Sequence, residues 1–166
     1  QMQGGCWHFP TETPVPIRAE NGDTLDAVVL NAGAFASAGY IPDIDPQTPI
    51  NDSPTFGNIA LLGYTHNAGN LTLYWENMGS LSADYTVFVQ VIDIDGETVA
   101  QGDAPPQFPT SYWRGGERYV TNHVFTAPDA QGTYNIIIGW YHPELARLPV
   151  ANQPDNAYLL TQIEVD

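Results

Sequence analysis

Residues 58–166 repeat one pattern that strongly restricts the fold: short runs alternating apolar and polar residues, each cut off by Gly, Pro, Asn or Asp. Alternation with a period of two places every second side chain on one face of an extended strand. Leu71, Leu73 and Trp75 fall on one face of such a run, and Thr72, Tyr74 and Glu76 on the other. Tyr85, Val87, Val89 and Val91 repeat the pattern, as do Tyr134, Ile136, Ile138 and Trp140. No segment keeps a helical apolar period across three turns without meeting Gly or Pro, so α-helical bundles are excluded.

Seven strands follow, over 58–65, 71–76, 84–93, 97–101, 117–125, 132–141 and 157–165. Thr86, Phe88, Gln90 and Ile92, the second face of the third strand, are partly apolar, which predicts a central position in its sheet. Asn67-Ala68-Gly69 and Asp93-Ile94-Asp95-Gly96 supply turn residues that tolerate positive φ. Seven antiparallel strands in about 110 residues make an all-β, immunoglobulin-like sandwich. Its expected core holds Leu61, Leu73, Trp75, Val87, Val89, Ile136, Ile138 and Trp140.

Residues 1–57 read as an arm ahead of this domain. Asn21-Gly22 between two strand-like runs signals a β-hairpin. Pro42, Pro46, Pro49 and Pro54 then break the chain into loop. Leu25, Val28, Val29 and Leu30 make the second run apolar on both faces, and Phe35 follows among small residues. A segment of that kind suits insertion into a sandwich, either its own or that of a neighbouring copy by strand addition.

Charge narrows the partners. The chain carries 19 acidic residues against four arginines (Arg18, Arg114, Arg118 and Arg147) and no lysine, for a formal net charge of −15. Phosphate backbones and anionic lipid surfaces repel such a chain, which argues against nucleic-acid binding. No apolar run reaches the roughly 18 residues of a membrane span. The single cysteine, Cys6, forms no internal disulfide. The chain opens on Gln1, which fits a mature secreted protein after loss of its signal peptide and equally a chain cut from a longer one, and its lack of lysine leans toward the secreted reading. The expected location is extracellular or at the cell surface.

Motifs for chemistry are sparse. His8, His66, His123 and His142 are scattered without ligand-like spacing. Asp93 to Glu97 resembles the start of a calcium loop but lacks its later ligands, so a hairpin turn is expected. Asp43, Asp45 and Asp52 sit in the proline-rich loop, where carboxylates could gather a hard cation; no metal site and no cofactor is assigned. There is no Gly-x-Ser-x-Gly elbow, and an enzyme is not expected. Tyr74, Trp113 and Tyr141 are candidate glycan contacts, because stiff aromatic rings stack on sugar faces at little entropic cost.

The stretches Leu61-Leu62-Gly63-Tyr64, Leu71-Thr72-Leu73-Tyr74-Trp75 and Asp84-Tyr85-Thr86-Val87-Phe88-Val89 carry a family resemblance. Pro109-Thr110-Ser111, Trp113-Arg114, Gly116-Glu117 and Gly132-Thr133-Tyr134 add to it. Together they resemble a bacterial cell-surface β-sandwich domain, of the kind that follows the membrane part of protein-mannosyltransferase-like glycosyltransferases. The resemblance covers about residues 58–166 and implies a non-catalytic sandwich with no catalytic residues to carry over. Two functions follow as expectations: an extracellular structural subunit that self-assembles into a filament or surface layer through its arm, with other copies of itself as partners, or a carbohydrate-binding module.

Overall fold

The computed structural model describes residues 45–153 and 155–166. The arm residues Leu25, Val28, Val29, Leu30 and Phe35, the Asn21-Gly22 hairpin, Cys6 and Asp43 lie outside the described residues. Within them the chain is an all-β sandwich of antiparallel strands. The strands are β1 (Thr48–Pro49), β2 (Thr55–Phe56), β3 (Ile59–Asn67), β4 (Asn70–Asn77) and β5 (Thr86–Ile92), then β6 (Thr98–Gln101), β7 (Arg118–Val124), β8 (Gly132–Tyr141) and β9 (Tyr158–Val165). One 3₁₀ turn, Thr110–Tyr112, interrupts the path from β6 to β7. Among the described residues no helix is long and apolar enough to cross a membrane.

The first sheet runs β1-β3-β4-β7, with β2 also paired to β3, and the second runs β6-β5-β8-β9. All seven strands expected from alternation are present, with ends shifted by a residue or two. β5 lies between β6 and β8, the central position that its two-sided apolar pattern implies. The inner faces of the sheets close on one another. Leu61, Leu73, Trp75, Val87, Val89, Ile136, Ile138 and Trp140 have no exposed surface, so the expected core is the observed one. Trp75 and Trp140, one from each sheet, meet edge to face with ring centroids 5.0 Å apart.

Pairing also reaches back past residue 58, into the proline-rich stretch. β1 pairs with β3 through Thr48 opposite Tyr64 and Pro49 opposite Gly63. Gly63 is required for that approach, since a Cβ there would lie 2.6 Å from the Thr48 carbonyl oxygen. Phe56 of β2 is wholly buried against Trp75, and the Gly57 amide donates to the Pro149 carbonyl. Short, proline-bearing strands are a usual way for a sheet to end without exposing a long edge.

Candidate functional site

The edge of the first sheet at β7 combines a long strand with one neighbour among the described residues, an aromatic groove and a buried polar chain behind it. β7 reads Arg-Tyr-Val-Thr-Asn-His-Val, and its side chains alternate strictly. Tyr119, Thr121 and His123 face inward; Val120, Asn122 and Val124 face out, with Val120 38% and Val124 71% exposed. Among the described residues, β7 has a strand neighbour on one side only, β4.

The register fixes which backbone groups are free to pair. Phe125 N–H donates to the Gly69 carbonyl, and Asn77 N–H donates to that of Glu117. In an antiparallel ladder alternate residues turn both backbone groups to the same neighbour. Residues 117, 119, 121, 123 and 125 therefore face β4, while Arg118, Val120, Asn122 and Val124 turn their N–H and C=O groups to the open side.

Inside the edge, the 3₁₀ turn positions Trp113. The Thr110 hydroxyl donates to the Ala83 carbonyl and accepts from the Tyr85 amide, tying the turn to the loop before β5. The Trp113 indole N–H donates to the Phe108 carbonyl at 3.0 Å, and its ring stacks flat on Tyr119 with centroids 4.0 Å apart. The Tyr119 hydroxyl in turn donates to Glu117 and accepts from the Arg114 amide. Burial, reinforced by the Glu117 carboxylate, pushes the Tyr119 hydroxyl up to about 12. A groove of about 200 Å³ lies beside this stack, between Phe108 and the Arg118–Val120 end of β7. Arg118 also pairs with Glu76 at 3.3 Å.

Behind the middle of β7 a polar chain crosses the core. The Trp75 indole N–H donates to the Thr121 hydroxyl at 2.9 Å, and that hydroxyl lies 2.9 Å from His123 Nε2. His123 Nδ1 meets the Gly102 carbonyl at 2.9 Å. A carbonyl only accepts, so Nδ1 carries the proton, Nε2 accepts, and the Thr121 hydroxyl donates to it. Every group in this chain is satisfied when His123 is neutral. Gly102 belongs to the second sheet's side, since its amide donates to Val89 of β5. The chain thus joins the two sheets. Burial holds the His123 pKa below its ordinary value, and the same cause acts on His66, which stacks on Phe125.

The candidate glycan contacts do not share a surface. Tyr74 is half-buried on the outer face of the first sheet, with its hydroxyl 3.3 Å from that of Thr65. Tyr141 is half-buried on the outer face of the second sheet, beside Phe88. Trp113, expected to be exposed, is only 4% exposed and packs on Tyr119 and Trp140. Its position after a proline-rich stretch offers no periodicity from which that burial could be read.

No family model matches the chain. No curated protein matches it either.

The remaining candidates resolve locally. The Asp93 carboxylate accepts from the amides of Asp95 and Glu97, the arrangement of a capped hairpin turn, and Gly96 takes φ +85° there. Among the described residues no three His, Cys, Asp or Glu side chains come together in a way that could hold a metal ion. Sequence reasoning missed β7 as a feature of interest. Its exposed valines, alternating with Thr and His on the inner face, were the available signal.

Proposed function

We propose that this chain is a non-catalytic extracellular structural subunit that self-assembles, as a filament or surface layer, through strand addition by its N-terminal arm. The observation that carries the reading is a sheet edge that, among the described residues, has no strand beyond it. Among the described residues, β7 and β9 each offer a strand of seven or eight residues with a neighbour on one side only. Such edges template pairing with another chain, and natural proteins ordinarily blunt or cover them. The arm supplies a matching piece, Leu25 to Leu30, apolar on both faces. A strand given by one copy to the next is a head-to-tail contact, which propagates without closing. The location and the absence of catalysis are part of this proposal and are drawn from the sequence alone.

Carbohydrate binding is the weaker reading, because Tyr74 and Tyr141 lie on different sheets and Trp113 is buried. Deleting residues 1–40 tests assembly. The truncated chain is expected to melt cooperatively and sediment as a monomer, whereas the full chain forms larger species. Polymerisation of the truncated chain would overturn the arm's role.

A further inference from the structure

We propose that β7 is the edge that receives the arm, pairing with residues 23–30 of a second copy. This rests on the assembly reading and goes further, by choosing among the edges. The four described edges are not equivalent. The β1 edge is two residues long and contains Pro49, which has no N–H to give. The β6 edge has four residues, with a register break between Val91 and Ile92 of its partner. The β9 edge is long, but its pairing with β8 is broken at Ile136/Ile137, and it ends in Glu164, Val165 and Asp166. Bulges, prolines, short length and charge are the devices that protect an edge. β7 has seven residues in unbroken register with β4, and neither a proline nor an acidic side chain.

Charge selects the occupant. Residues 23–30 contain Asp23 and Asp26 and no basic residue. Arg114, four residues before β7, and Arg118, its first residue and already paired with Glu76, are two of the four cations in a chain of net charge −15. An acidic strand arriving at β9 would instead meet Glu164 and Asp166. Shape agrees with charge. A strand laid against β7 sets one face beside exposed Val120 and Val124 and the other over the groove between Phe108 and Trp113. Both faces of the incoming strand then need apolar residues, and Leu25, Ala27 and Val29 alternate with Val28 and Leu30.

The test uses the full chain, with assembly read by sedimentation velocity and folding by circular dichroism and melting. Val120→Pro removes an N–H that points to the open side, so the β4–β7 ladder keeps its bonds. The pair Val120→Glu with Val124→Glu repeats the test without altering the backbone, and sets like charge against the acidic arm, should the proline variant fail to fold. Both are expected to fold and to lose the fast-sedimenting species, while Leu159→Lys on β9 assembles as the wild type does. Folded β7 variants that assemble normally would overturn the choice of β7. If Val28→Asp with Leu30→Asp abolished assembly in that case, the arm reading would survive with another acceptor. A dimer lost in Val120→Pro but kept in the arm variant would mean β7 pairing with β7, and would overturn the occupant. A wild-type chain that stays monomeric at all concentrations would overturn both readings.

Discussion

Thr121 shows how much one hydroxyl can organise. It takes the Trp75 indole proton and gives its own to His123, so two buried polar groups depend on it. Thr121→Val keeps the shape but leaves both without a partner, and the expected loss is about 1–3 kcal/mol for each group so stranded. Chemical denaturation of the variant measures it. His123 adds a pH dependence whose sign follows from its neutral, buried state. Its folded pKa lies below the ordinary 6.5, so as pH falls through 6.5 the unfolded chain takes up a proton that the native state resists. Stability is complete above that value and declines below it, until the folded-state pKa is reached. His66 shifts in the same direction, so the two add. Melting temperature is expected to drop between neutral pH and pH about 5, and less steeply in His123→Gln; an equal slope in that variant would remove His123 from the account.

At the scale of elements, the β3–β4 hairpin illustrates local sequence meeting backbone demand. Its two loop residues, Ala68 and Gly69, both have positive φ, at +45° and +83°. That pairing matches the right-handed twist of the strands it joins, and favours Asn-Gly. Gly69 is obligatory, since a Cβ would sit 2.4 Å from the Phe125 carbonyl oxygen. Ala68 is the poor choice, because a left-handed alanine costs roughly 1–2 kcal/mol. Ala68→Asn is expected to raise stability by about 0.5–1 kcal/mol, read as a shift in the denaturation midpoint. Alternation made the seven main strands and the inner face of β4 legible in the sequence, because a half-buried strand writes its burial with period two. It could not disclose β1 and β2, whose pairing is held by distant partners such as Gly63 and Pro149 rather than by their own composition. Trp113 was opaque for the same reason: a 3₁₀ turn tied to Ala83 and Tyr85 carries it inward. Phe88 was half legible. Its outward apolar side chain marked β5 as central, but the Arg147 guanidinium that covers it, 4.3 Å from the ring centroid, comes from a loop with no pattern of its own.

For the whole molecule, charge and edges pull against each other. A net charge of −15 makes copies repel one another, and salt screens that repulsion beyond roughly 8–10 Å. The proposed assembly needs a contact worth more than that repulsion, and strand addition would provide it through backbone hydrogen bonds and buried apolar faces. The proposed assembly residues are legible only in part. The arm's two-sided apolar run stands out in sequence, while the proposed acceptor edge is a property of sheet order and register. Sedimentation velocity over a range of concentrations, on the full chain beside the chain lacking residues 1–40, tests the account most directly. Assembly through the arm predicts large species that grow with concentration for the full chain, and a folded monomer at every concentration for the truncated one. Equal assembly by both chains, or a full chain that never leaves the monomer, would contradict it.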